Sequence, residues 1–418
     1  MFISYTRASL GVFVNFFLCA ISPRGDSTAE TIMTKALINS DMIVWAADRA
    51  DMNAETLSQK LKVDLDRVIS WFDGTDQPSF AQAQKLAKCL HIPFGFLYLK
   101  KPPPEDLPIP DLRTVGGDLA TKLDHNFRDL LKDVMFKRDW YRDFCMEIDG
   151  DELPFVSSFD LTADSRNVAD DMKRVLFRDE GLDLRAVANW EAYLTLLMKK
   201  SEDAGIWVMR NGVVGSNTSR GLSVSQFRGF AISDKVIPLI FINGADAKAA
   251  QIFTLAHELA HIWLGESGVS NVQIGDSDYG THRALERKCN QIAAEFLVPT
   301  DQFKARWVEK IPAGSNIDLN TRRFKVSRIV IARRAYDLGL ISEDDYKRYY
   351  AIESKKWEED NGSGGDFYKT LPVRNGGRFT NSVVNEAVSG RLLLRQAAAL
   401  LNTQPGSIMK FHSRRQAA

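Results

Sequence analysis

The sequence predicts an α+β protein that is mainly helical, and three observations carry that prediction. Apolar residues recur at three-to-four spacing through residues 41–99 and 119–200 and in several stretches beyond Gly244. Strand-like runs bounded by Gly, Asn, Ser or Asp are confined to residues 206–209, 227–232 and 237–242. At 418 residues the chain exceeds one ordinary domain of about 150 residues, so these patterns divide among several.

Residues 1–32 read as an ill-defined extension. Its uncharged run, residues 8–23 behind Arg7, is shorter than the roughly 20 apolar residues of a membrane span. It loosely matches a signal peptide, or else lies upstream of a true start at Met33. Residues 33–100 read as a small all-helical domain with turns at Asp51-Met52-Asn53, Val63-Asp64, Asp73-Gly74 and His91-Ile92-Pro93. Within it, residues 54–74 have the layout of a repressor-type helix-turn-helix, with Val68, Ile69 and Trp71 as core candidates. Residues 101–114 form a linker, because Pro102, Pro103, Pro104, Pro108 and Pro110 favour a stiff, extended chain.

The largest domain is expected over residues 115–355. Its helical part carries apolar stripes at Leu130, Leu131 and Val134, at Val168 and Met172, and at Trp190, Leu194 and Leu197. The three strand runs follow. Pro238 cannot donate a ladder hydrogen bond and suits a strand start or a sheet edge; here the third strand is read as an edge. A long apolar helix comes next, then a polar loop over residues 266–280 and a helix over residues 283–298 stopped by Pro299. Further helices are expected over residues 328–338, between an N-cap at Ser327 and a stop at Gly339, and over 343–353. A Gly-rich hinge at residues 361–365 leads into a basic helical region, residues 366–418, in which Lys369 to Arg415 include eight basic residues and one acidic.

Composition excludes little but is informative. With 54 basic and 54 acidic residues the net charge is zero, so nothing global points to nucleic acid or a membrane surface. Cys19, Cys89, Cys145 and Cys289 lie far apart without CxxC spacing, which fits buried thiols in a reducing cytoplasm rather than a disulfide framework.

The long helix carries the chemistry: His257-Glu258-Leu259-Ala260-His261. Histidines four apart on a helix project from one face, as two imidazoles sharing one zinc ion must. Glu258 lies about 100° round the helix, where it can act on a water as general base without ligating. With six histidines in the chain, composition alone yields this pattern roughly once in two hundred such chains. Ile252, Phe253, Leu255, Leu259, Ile262 and Trp263 make the helix apolar on most sides, a costly setting for His and Glu unless they are satisfied. A catalytic zinc needs a third protein ligand, and Glu266, Asp276, Asp278, His282, Glu286 and Glu295 are the candidates. Glu286 is preferred, because it sits on the next helix with Asn290 one turn later to hold a ligand imidazole; His282 is second. Tyr279 or His282 is the candidate oxyanion stabiliser.

Three blocks of the chain, Phe227-Arg228-Gly229-Phe230-Ala231, residues 253–261 and residues 286–299, resemble the ImmA/IrrE family of zinc metallopeptidases. The resemblance covers residues 200–340 and extends to a repressor-type (XRE) helix-turn-helix placed before the peptidase. It implies a zincin-like domain with one zinc per chain bound by His257, His261 and Glu286, and a catalytic Glu258. It further implies a regulatory endopeptidase that cleaves a protein, typically a transcriptional repressor. Cys289 stands where the family usually has alanine before Asn290. On this reading the third strand, ending at Ile242-Asn243-Gly244, would serve as a rail for an extended substrate.

DNA is a second partner to weigh, through the helix-turn-helix. Yet residues 41–76 hold eight acidic residues and four basic, and the second helix opens Asp64-Leu65-Asp66-Arg67, a poor match to phosphates and base edges. A protein partner or a second copy of the chain fits that surface as well. The alternative function is therefore a DNA-binding transcriptional regulator whose peptidase fold is a zinc-stabilised, non-proteolytic sensor. Retention of Glu258 favours the peptidase, since a purely structural zinc has no use for an unligated carboxylate beside it.

Overall fold

The computed structural model describes residues 35–104, 124–148, 150–178, 181–270, 282–357 and 367–416. The expectations for residues 1–32 and Met33, most of the linker, Asp276, Asp278, Tyr279 and the Gly-rich hinge lie outside the described residues, as does the side chain of His282. The chain divides into two compact units, Met1–Pro102 and Pro103–Ala418. It is mainly helical with a small sheet in its middle, the α+β class that the periodicity predicts. Among the described residues no helix is long and apolar enough to cross a membrane.

The first unit packs α1 (Ser40–Arg49), α2 (Ala54–Leu61), α3 (Leu65–Phe72) and α4 (Phe80–Cys89) around Leu57, Val68, Trp71, Leu86 and Leu97. Side chains of Asn39, Asn53, Asp64 and Ser79 cap the four helices in turn, and Ser79 forms a capping box with Gln82. The turn between α2 and α3 is made by Lys62 in the left-handed region. One core candidate is corrected: Ile69 is 40% exposed. The helix buries Val68 and Trp71, three residues apart, and Ile69 falls about 100° off that face.

In the second unit three helices precede the sheet: α5 (His125–Glu147), α6 (Ser165–Phe177) and α7 (Trp190–Asp203). Then come β1 (Trp207–Asn211), the hairpin of β2 (Val213–Val214) and β3 (Asn217–Gly221), β4 (Gly229–Ile232) and β5 (Leu239–Asn243). They are followed by α8 (Lys248–Leu264), β6 (Gly268–Ser270) and α9 (His282–Leu297). After these lie α10 (Thr300–Lys304), α11 (Ala313–Phe324), α12 (Arg328–Asp337) and α13 (Glu343–Trp357). The chain ends in α14 (Phe367–Asn375), α15 (Gly377–Val388), α16 (Leu394–Leu400) and α17 (Pro405–Gln416). The helix α12 is bounded as its sequence signals require, by Ser327 capping the Val330 N–H and by Gly339 at φ 69°.

The four-stranded sheet runs β1-β5-β4-β6, with β1 parallel to β5 and the other pairs antiparallel. The third predicted strand is therefore not an edge: β5 is hydrogen-bonded on both sides, and the substrate-rail reading of it fails. Pro238 sits at the strand start instead, where its carbonyl accepts the Trp207 N–H at 2.8 Å and no donor is required of it.

Alternation along these strands builds two cores. Val208, Ala231, Ile240 and Ile242 face α6 to α9 and α11 to α12; Trp207, Met209, Phe230, Leu239 and Phe241 face α5 and the four C-terminal helices. The sheet is thus covered on both faces. That explains why the run at residues 237–242 is apolar without alternation.

Candidate metal centre

Every residue of α8 from Ala250 to Leu264 is buried, which follows from its nearly all-round apolar sequence. The helix ends at Gly265, in the left-handed region at φ 76°, where a Cβ would meet Ser157 Oγ at 2.3 Å. Its start is tied to the sheet. Asp246 accepts the Ala247 N–H and pairs with Arg228 Nη1 at 2.6 Å, so the residue just before β4 fixes the entry of α8.

Helix α9 packs against α8 through Cys289, Ile292, Ala293 and Phe296. That contact brings the predicted residues together. His257 Nε2 and His261 Nε2 are 3.1 Å apart, and the Glu286 carboxylate lies 3.1 Å from the first and 3.4 Å from the second. Ligand atoms on a tetrahedral zinc at ~2.0–2.1 Å are about 3.3 Å apart, and these approaches, Oε2 to His257 and Oε1 to His261, match that edge length. His257 donates from Nδ1 to Asn290 Oδ1 at 3.0 Å, which leaves the Nε2 lone pair for the metal. Glu286 Oε1 is buried and, beyond the 3.4 Å approach of His261 Nε2, has no hydrogen-bond partner among the described residues.

Burial opposes charge on both His257 and Glu286, yet their mutual attraction wins: it lifts His257 above its ordinary value and holds Glu286 well below the carboxylate range. Burial dominates at His261, which is lowered. Glu258 is completely buried beside the pair. A Cβ on Gly229 of β4 would lie 2.8 Å from Glu258 Oε1 and 2.7 Å from Thr254 Cγ2, so only glycine lets the strand approach this carboxylate.

Two of the other ligand candidates, Glu295 and Glu266, lie among residues whose side chains are described, and both separate from the centre. Glu295 turns away to Thr300 and Arg334, closing the end of α9 onto α12. Glu266 is exposed in the turn after α8. Sequence reasoning passed over Gly229, whose signal was a glycine inside a strand. The expectation of a buried thiol holds for Cys289, whose sulfur also lies with a ring nitrogen of each of His257 and His261 in a group whose ligand atoms are all within 4.8 Å of one another. Glu286 fits as third ligand better, since its oxygens already stand at tetrahedral-edge distances.

The basic tract around α12 is largely occupied with structure. Arg328 pairs with Asp318 and Glu353, Arg333 with Asp337, and buried Arg334 with Glu295. In the C-terminal region Arg391 pairs with Glu386 and Arg414 stacks over Tyr368.

No curated protein matches the chain. Residues 375–414 match a domain of unknown function, DUF8813. Residues 201–336, which span the sheet, α8 and α9, match the IrrE N-terminal-like domain of the M78 peptidases. The middle of the chain is thereby similar to a metallopeptidase-type domain of the ImmA/IrrE kind.

Proposed function

We propose that the chain is a zinc-dependent regulatory endopeptidase, cytoplasmic, that cleaves a protein of the transcriptional-repressor class. The observation that carries the chemistry is the convergence of His257, His261 and Glu286 at 3.1–3.4 Å with Glu258 buried alongside. The substrate class rests on the family resemblance, and the cytoplasmic setting is supported by Cys89, Cys145 and Cys289 being free thiols.

Zinc held by His257, His261 and Glu286 would supply Lewis acidity to a scissile carbonyl and to a water molecule. Glu258 takes the proton of that water and returns it to the departing amine. Asn290 keeps His257 in the tautomer that ligates. Close packing of α8, α9 and β4 excludes bulk water around the carboxylate. Tyr279 or His282 would steady the oxyanion.

Substituting Glu258→Gln tests the reading. Cleavage should fall on the order of 10²–10⁴-fold while one zinc per chain is retained. The comparison is made on protein fragments from cells carrying either form, beginning with repressors encoded nearby; an unchanged fragment pattern overturns the peptidase reading.

The first unit we read as a docking module for the protein substrate. Around α3 it exposes Asp64, Asp66 and Ile69, with Arg67 the one cation of the helix itself and Lys62 in the turn before it, a surface that disfavours phosphate and offers an apolar contact. A salt-sensitive shift of promoter DNA by this chain at low ionic strength would reverse that choice and restore the DNA-binding alternative.

A further inference from the structure

Cys289 lies three residues beyond Glu286 on α9, on the side of that helix that faces α8. The residue is completely buried and forms no disulfide. Its sulfur and one ring nitrogen each of His257 and His261 lie within 4.8 Å of one another, about 1.3 Å or less beyond the edge of a mixed sulfur–nitrogen tetrahedral site. Thiolate is also the donor that zinc prefers, with bonds of about 2.3 Å.

We propose that Cys289 is a fourth metal-binding residue, which in the resting protein closes the position a water molecule would take. The proposal rests on the zinc reading above. On closure the S–H bond breaks, a sulfur–metal bond forms, and the proton passes to Glu258, which faces the same centre. The step fills the open position, and departure of the thiolate, which takes its proton back, reopens it.

Cobalt(II) is the probe, because a cobalt–thiolate bond adds a near-ultraviolet charge-transfer band that nitrogen and oxygen ligands do not give. The full-length chain is loaded with one equivalent of Co²⁺ and its spectrum recorded beside those of Cys289→Ala and Cys289→Ser. Wild type should show the band, and both variants should lose it while keeping the visible bands of four-coordinate cobalt. Visible bands without the near-ultraviolet band in wild type overturn the role of Cys289 alone. So does a near-ultraviolet band that survives in Cys289→Ala, since another thiol then supplies it. Failure of the wild-type chain to bind cobalt at all overturns this proposal together with the metal centre itself.

Discussion

Replacing Gly229 by alanine probes whether the sheet positions the Glu258 carboxylate, the proposed general base. The new Cβ would stand 2.7 Å from Thr254 Cγ2, 2.8 Å from Glu258 Oε1 and 3.1 Å from the Phe241 carbonyl oxygen. Ordinary carbon–carbon contacts are about 3.5–4.0 Å, so the overlap with Thr254 approaches 1 Å. None of these atoms can retreat freely. Phe241 O belongs to β5 inside the sheet, and Thr254 and Glu258 ride on a helix buried along its length. Overpacking of this kind costs about 1–3 kcal/mol, and the softest response is a shift of the Glu258 carboxylate. A displacement near 1 Å at a reacting group lowers turnover on the order of 10²-fold. The assay pairs the cleavage rate with zinc stoichiometry and urea unfolding. We expect a large loss of rate, a modest loss of stability and retention of one zinc, because the three atoms nearest the new Cβ belong to Thr254, Glu258 and Phe241 rather than to His257, His261 or Glu286. Wild-type turnover with wild-type stability in Gly229→Ala would refute the claim that the strand sets this carboxylate.

Two further outcomes are expected. Asn290→Ala removes the acceptor at 3.0 Å from His257 Nδ1 and should weaken zinc binding about 10–100-fold by competition with a chelator, with little change in fold; unchanged affinity would show that the imidazole needs no such partner. Glu202, whose Oε1 accepts the Gly377 N–H at 2.7 Å at the start of α15, is pushed up to about 7, chiefly by burial. The folded protein therefore prefers this carboxyl protonated. Its stabilising effect is full below the ordinary value of 4.5 and is lost as pH rises through about 7. Glu202→Gln should abolish that loss and make the protein more stable at pH 8 by up to about 3 kcal/mol, read from urea midpoints; equal pH profiles of the two forms would exclude the effect.

The convergence of the candidate site was legible because its information is local. His257 and His261 are set by the period of one helix, and Glu286 with Asn290 by the same spacing on the next. The close approach that joins the two helices is a matter of apolar faces that the sequence displays. Strand order is long-range information and was not legible. Pro238 allowed either an edge or a strand start, and the wrong option was preferred, although an uninterrupted apolar run at residues 237–242 is what a strand covered on both faces requires. Ile69 failed for a smaller reason: a short helix with three large apolar residues in a row of four cannot bury them all on one side. Gly229 carried a signal, a glycine inside a strand, but not the identity of the group that approaches it.

The two matched segments also bear on how the site is held. Residues 375–414 are similar to a domain described separately from the peptidase-type one, yet in this chain they are not an appendage. Phe379 stacks on Trp207 of β1 at 4.7 Å, and the Trp207 indole donates to the Asn375 carbonyl at 2.7 Å. Phe379, Val383 and Leu400 share one hydrophobic cluster with Met209, Phe230 and Phe241 of the sheet. Phe230 and Phe241 stack on this face at 5.1 Å, while their neighbours in sequence, Ala231 and Ile240, support α8 on the other. A four-stranded sheet with apolar residues on both faces cannot leave either face to water, because each exposed side chain would forfeit about 1.5–3 kcal/mol. The basic region that reads as a tail is therefore the second wall of the layer whose first wall is the helix of His257 and His261. The precision of the centre depends on both.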